Sequence, residues 1–331
     1  MLSYIVPCYN EAPTIAICLQ LIQKIIAETE QPSEIIVVDC GSHDGSLEII
    51  QPYPVRLAHI PEDARRYSKA VNLGVSMALG AYIQIVDSDC ALAQGWMHQA
   101  LPFLGRHPAL AGVAGIWTGN PRGSALARQR VERATSSRSL LFQSLGGPHL
   151  FVRDIIQDYP MDETLKGSED VDQIVRLKGD GYQTARLRIH MLTQLKPEEA
   201  AFSRMISKSF VQHGIGSGQG YRKAWRRSIR CLMWYHYAKK YHLFFSATLL
   251  VLAGSLLSLC TGDFVLALNL FVLVIGLYAV TAAAAYALNK SWKGALQLVF
   301  LKVVSAAGFC WGLLQKTPRD APLEERTARR P

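Results

Sequence analysis

The chain has 331 residues, half of them hydrophobic, with 35 Lys and Arg against 26 Asp and Glu, for a net charge of +9. That length suffices for one sizeable domain plus further elements. The seven cysteines (Cys8, Cys18, Cys40, Cys90, Cys231, Cys260 and Cys310) show neither metal-type nor redox spacing, so they read as small core or membrane residues in a reducing compartment.

Strand and helix patterns alternate through the first 220 residues. Leu2–Val6 reads as an opening strand rather than a leader, which predicts a cytoplasmic domain. Pro7 and a polar turn at Asn10-Glu11 follow, then a helix with apolar positions Ile15, Leu19, Ile22 and Ile26. Ile35–Val38 is a near-continuous apolar run, the pattern of a parallel strand covered on both faces. It ends in Asp39, and Asp44-Gly45-Ser46 opens the next helix. A short strand at Val55–Leu57, a helix over Tyr67–Leu79, a buried strand over Tyr82–Val86 and another over Ala111–Trp117 complete an α/β pattern. It implies a mainly parallel, Rossmann-like sheet. Five arginines between Pro121 and Leu141 read as a solvated basic helix face in preference to an acceptor site.

Beyond residue 220 the composition changes. Arg222, Lys223, Arg226, Arg227, Arg230, Lys239 and Lys240 are interleaved with Trp225, Trp234, Tyr235, Tyr237 and Tyr241. Beside apolar segments, such a stretch fits an interfacial helix on an anionic leaflet better than a nucleic-acid surface, so no nucleic-acid partner is expected. Leu243–Thr261 and Phe264–Leu288 run without a charge and are long enough to cross a bilayer core. Gly294–Leu314 is a third candidate, interrupted by Gln297 and Lys302. The expected organisation is a domain over 1–220, an interfacial helix over 221–242, a membrane region over 243–315 and a polar tail over 316–331. Two spans keep Lys290 and Lys293 on the cytoplasmic side. A third span would put the basic tail outside, unless that helix is re-entrant or lies in the membrane plane, or Lys302 pairs within a homo-oligomer.

Three acidic clusters stand after strands or in loops: Asp39, then Asp87 and Asp89, and Glu169-Asp170. Asp87 and Asp89 taken alone suit either a divalent cation or the cap of a following helix. Carboxylates at the C-terminal ends of neighbouring parallel strands converge on one crevice, where a cation and a phosphorylated ligand offset their charge.

Five segments in this order resemble the inverting nucleotide-sugar glycosyltransferases of family 2, which have the GT-A fold. They are Ile5–Glu11, Val37–Ser46, Lys69–Gly74 with Ala78–Gly80, Asp87-Ser88-Asp89, and Glu169-Asp170. The resemblance implies Mg²⁺ or Mn²⁺ on Asp89, with Asp87 orienting the ribose or completing the metal shell. It implies a donor site including Pro7, Tyr9, Glu11, Asp39, Lys69 and Asn72, with Asp39 bonding the nucleobase. Asp170 becomes the general base, Glu169 an acceptor-orienting group, and Gly146-Gly147 part of the acceptor pocket. Cys40 stands where many relatives carry a second Asp. His190 is the candidate for a metal-ligating histidine, with structural and exposed roles as the alternatives. The glycine-rich His213–Gly220 segment reads equally as a donor lid or as a flexible hinge.

The resulting expectation is a multi-pass enzyme of the cytoplasmic membrane that makes exopolysaccharide or envelope glycan. It moves sugar from a nucleotide-sugar, a UDP-sugar by preference, to a hydroxyl of a lipid-linked or membrane-proximal saccharide, with inversion. A polyprenyl-phosphate acceptor is disfavoured because it needs no general base. A non-catalytic scaffold is disfavoured by the complete acidic motifs. Processive synthesis is disfavoured by the lack of a Gln-x-x-Arg-Trp motif.

Overall fold

β-Branched runs with no polar face set the middle of the sheet. Every residue of Leu2–Cys8 (β1) is buried, as are the last five of Ser33–Asp39 (β2). The computed structural model describes residues 1–118, 150–195, 206–207, 209–228 and 292–315, with scattered positions between 231 and 274.

Helix Ile15–Thr29 (α1) turns Ile15, Cys18, Leu19, Ile22 and Ile25 inward at helical spacing. It ends on Glu30, which takes a left-handed φ of 51°. Ser46–Ile50 (α2), Arg56–His59 (β3) and Tyr67–Met77 (α3) lead to Tyr82–Ile85 (β4). Cys90–Leu92 (β5), Trp96–Gly105 (α4) and Leu110–Thr118 (β6) follow. Leu150–Val152 (β7) runs directly into Arg153–Ile156 (α5), and Glu169–Gly179 (α6) precedes the long strand Gln183–Gln194 (β8).

These strands form one eight-stranded sheet in the order β3-β2-β1-β4-β7-β6-β8-β5. The β3-β2-β1-β4 portion is parallel, as expected. In the remainder β6 pairs parallel with β8, and two short strands add antiparallel pairings that make the sheet mixed. β7 pairs antiparallel with both β4 and β6, and β5 pairs antiparallel with β8. β5 and β7 are three residues each, too short to announce themselves by periodicity.

Pro7 is tolerated in a central strand for a specific reason. The Leu2 amide bonds Pro32 on the β2 side and the Ile5 carbonyl accepts from Val86 on the β4 side, so alternation turns the Pro7 nitrogen toward β4. The β1–β4 pairing has already ended at Ile5, and no ladder bond is lost.

Contacts divide the chain into two units. Met1–Glu163 with Asp170–Glu199 makes the first, and Thr164–Glu169 groups with the residues after Glu199. A loop beside the acidic pair thus groups with the C-terminal helices. In that second unit a π-helical turn, Ser209–Ile215, leads into Gly216–Arg227 (α7), so the expected glycine hinge is helical. Trp292–Leu314 (α8) packs on both, with Ala306 and Phe309 buried.

Among the described residues, no helix is long and apolar enough to cross a membrane. The third candidate span forms α8, whose Gly308 and Gly312 pack against Phe210, Gly214 and Ile215. Most of Leu243–Thr261 and Phe264–Leu288 lies outside the described residues, as do the basic segment within 121–141, most of 229–242 and the tail from 316.

Candidate active site

The site begins where β1 and β2 end. Asn10 takes φ 53°, its backbone amide donates to Ser42 Oγ at 2.9 Å, and its side-chain Oδ1 accepts from the His43 amide at 2.9 Å. Glu11 N donates to Ser46 Oγ (2.8 Å) and Ala12 N to Asp44 Oδ2 (3.0 Å). The polar residues of the two matching segments therefore stitch one strand-end loop to the other.

β4 ends beside them. After Val86 N bonds Ile5 O at 2.9 Å, the chain turns through Asp87-Ser88-Asp89, closed by Cys90 N on Asp87 O at 2.9 Å, and enters β5. The triplet thus joins two strands instead of capping a helix. The Tyr67 hydroxyl donates to Asp87 Oδ1 at 2.9 Å, and Gln194 Nε2 donates to Asp89 Oδ2 at 3.3 Å. Burial and the like charges of Asp89, Asp170 and Glu11 push the Asp87 carboxyl up to about 6, against the Tyr67 hydroxyl, which pulls it down. This electrostatic signature links two of the three acidic clusters predicted from sequence, Asp87-Asp89 and Asp170, and adds Glu11; Asp39 is not among them. Their mutual repulsion is what a bound cation relieves.

Asp87, Asp89 and Cys90 present ligand atoms within 4.8 Å of one another. Two carboxylates suit hard, oxygen-preferring Mg²⁺ or Mn²⁺. The Cys90 thiol is buried, its pKa is pushed up chiefly by that burial, and it lies 3.4 Å from Asp89 Oδ1. As a soft sulfur donor it suits a hard cation less well than the two carboxylates. His190 is not in the cluster: its Nε2 lies 2.9 Å from Thr193 Oγ1 and 3.3 Å from Thr118 Oγ1. It is four residues up β8 from Gln194, about 13 Å of extended strand. Burial lowers its pKa, and its ring is committed within the sheet.

Asp39 and Asn72 are engaged in internal bonds. The Asp39 side chain is wholly buried, and its Oδ2 accepts from the Gly41 amide (2.9 Å) and the Ser42 amide (3.2 Å) and meets His59 Nδ1 at 3.1 Å. In this conformation it shapes the turn behind a ligand and has no open face toward one. Asn72 Nδ2 donates to Met161 O (2.9 Å) and Glu163 Oε1 (2.8 Å), and its Oδ1 accepts from Met161 N (2.8 Å). All of these bonds run to the 161–163 segment.

Tyr9 is differently placed. It is partly exposed, with Arg65 over its ring at 3.8 Å, Glu62 accepting from its hydroxyl at 2.9 Å, and His43 edge-on at 6.2 Å. Lys69 is half-buried on α3. Glu169 and Asp170 open α6, where the helix N-terminus stabilises negative charge, after Gly167 and Ser168 turn the chain at positive φ. The nearby Asp172 is structural, buried and paired with Arg176 Nε at 2.9 Å. Gly146 and Gly147 lie outside the described residues.

Sequence reading missed Tyr67, Gln194, Glu62 and Arg65. Gln194 lies 105 residues from the Asp89 that it touches, and no local pattern joins them. Tyr67 had a weaker signal, as the exposed aromatic opening the helix before the acidic triplet.

Residues 3–152 match the model of glycosyl transferase family 2. The glycosyltransferase AglE of Haloferax volcanii is 28% identical over 232 residues, covering 66% of this chain and 72% of AglE. GlyG of Streptococcus pneumoniae is 40% identical over 94 residues, which cover 27% of this chain and 30% of that relative. The chain thus aligns with less than a third of GlyG. Among solved structures, the mannosyltransferase PcManGT from Pyrobaculum calidifontis, in complex with GDP-Man and Mn²⁺, has a TM-score of 0.61 at 20% identity. The match covers 95% of this chain and 87% of that one, a likeness of fold. Residues 3–152 are thus similar to the family 2 glycosyltransferases, and the chain shares the fold of the Pyrobaculum mannosyltransferase.

Proposed function

We propose that this enzyme transfers a sugar, with inversion, from a nucleotide-sugar to a hydroxyl of a lipid-linked or membrane-proximal saccharide. The observation that carries this reading is the gathering of Asp89, Asp170 and Glu11 around Asp87, whose carboxyl is pushed up to about 6 by burial first and by these like charges second. Asp89 and Asp87 would hold Mg²⁺ or Mn²⁺, which when bound supplies Lewis-acid neutralisation of the donor diphosphate. Asp170 accepts the acceptor hydroxyl proton as that oxygen bonds the anomeric carbon and the diphosphate leaves from the opposite face. Glu169 orients the acceptor. Tyr9 and Lys69 flank the donor, while Pro7, Asp39 and Asn72 shape the backbone around it.

UDP-sugar is the donor proposed from the sequence. GDP-Man in the Pyrobaculum structure makes a guanine nucleotide the first competitor to test. Membrane attachment on the cytoplasmic side is inferred from the basic, aromatic stretch at 222–241 and the uncharged runs that follow it. It keeps the site near a lipid-borne acceptor of envelope or exopolysaccharide type.

The test is a panel of UDP- and GDP-sugars, scored for thermal stabilisation with and without Mn²⁺ or Mg²⁺, followed by turnover with the stabilising donor. Asp89→Asn should lose the metal-dependent shift. Asp170→Asn should keep it while transfer falls about 10²–10⁴-fold. No metal-dependent shift with any donor, or undiminished turnover in Asp170→Asn, would sink the proposal.

A further inference from the structure

The segment preceding Asp170 is held by the C-terminal helices. Lys223, 2% exposed on α7, donates from Nζ to Thr164 Oγ1 at 2.6 Å. Gln219, also buried, accepts from the Lys166 backbone amide at 3.1 Å and donates to Gln315 Oε1 at 3.1 Å. Ser217 Oγ lies 3.0 Å from Ser168 Oγ. These three residues sit on the first two turns of α7, and their partners are Thr164, Lys166 and Ser168, three alternate residues of one short loop.

The glycines of the same region explain why the loop comes so close. A methyl group added at Gly216 would overlap the Gly167 backbone, and one at Gly167 would overlap Gln212. On the other side of the helix pair, methyl groups at Gly214, Gly218, Gly308 or Gly312 would each strike backbone of the facing helix. The glycine run is therefore a close-packing face that seats α8 on one side and the Thr164–Glu169 loop on the other. Gly167, at φ 155°, and Ser168, at φ 60°, then set the direction in which the chain enters α6.

We infer that α7 is a positioning element for the acidic pair: Gly216, Ser217, Gln219 and Lys223 fix the Thr164–Glu169 loop, and so the backbone that delivers Glu169 and Asp170. This rests on the functional reading above, in which Asp170 is the base. Proton abstraction at a reacting oxygen is intolerant of misplacement, and an error of about 1 Å can cost about 10²-fold in rate. The donor elements at the ends of β1, β2 and β4 make none of these bonds, whereas the loop that does make them runs directly into Asp170. A fault in α7 should therefore slow chemistry and spare donor binding.

Gly216→Ala, Gln219→Ala and Lys223→Met are compared with Lys223→Arg, which keeps a donor for Thr164. The readouts are kcat, the KM for the nucleotide-sugar, and UDP and GDP affinities with Mn²⁺. At least a tenfold fall in kcat is expected in Gly216→Ala and Lys223→Met, with KM and nucleotide affinity within twofold of wild type. Lys223→Arg should recover most of the loss. If Gly216→Ala does not fold, Gln219→Ala carries the test, since it deletes a side chain without a steric clash. Near-wild-type kcat in the folded variants overturns the inference, as does parallel loss of kcat and nucleotide affinity. Wild-type protein that turns over no sugar nucleotide overturns the functional reading, and this one with it.

Discussion

Asn72→Ala separates a donor ligand from a structural strut. The native amide makes one bond to the charged Glu163 and two to the backbone of Met161, all between 2.8 and 2.9 Å. Neutral bonds contribute about 1 kcal/mol each and one to a charged partner about 1.5–3, a ceiling of roughly 3.5–5 kcal/mol. Glu163 is partly exposed and regains water, whereas Met161 is 5% exposed and its N–H and C=O lose their partner. The expected loss is therefore about 2–4 kcal/mol in urea-induced unfolding, or about 2–4 °C of Tm per kcal/mol for a unit of this size. UDP and GDP affinity with Mn²⁺, measured under conditions where the variant is folded, should stay within about threefold, because a neutral bond's worth of discrimination is absent. Stability within 1 kcal/mol of wild type, combined with a tenfold or greater loss of nucleotide affinity, would refute the reasoning and return Asn72 to the donor site.

Two further perturbations follow from the same structure. Burial raises the Glu34 pKa, but the Leu79 amide, the Ser3 hydroxyl and Arg56 together hold it below its ordinary value. Stabilisation from this charge is present above the unfolded pKa and is lost as pH falls through the folded one. The stability gap between wild type and Glu34→Gln should thus be full at pH 7 and close below about pH 4, followed by denaturation across that range; a gap that is constant with pH refutes the linkage. Trp96, fully buried, donates from Nε1 to Gln84 Oε1 at 2.9 Å. Trp96→Phe leaves that buried oxygen without its donor and opens a small void, at a cost of about 2–4 kcal/mol by urea unfolding, with nucleotide affinity unchanged.

Apolar runs and acidic spacing were enough to place half of the sheet and its acidic clusters. The runs at Leu2–Val6, Ile35–Val38 and Tyr82–Val86 became β1, β2 and β4 because a continuous apolar strand is stable only when covered on both faces. Asp87 and Asp89 follow β4 at the edge where the parallel strands end, whereas Asp170 comes from the first turn of α6. Which polar residues of the motifs are taken up by internal bonds depends on the tertiary structure. Asp39 and Asn72 stand in motif positions, yet one is sealed by the Gly41–Ser42 turn and the other is bonded to a segment 89 residues away. The antiparallel strands β5 and β7, and Gln194 on Asp89, depend on pairings with no local period to betray them. The glycine run shows the same limit. Glycine permits both a flexible hinge and the closest helix contact, and only the backbone lying against Gly216 and Gly218 selects the contact.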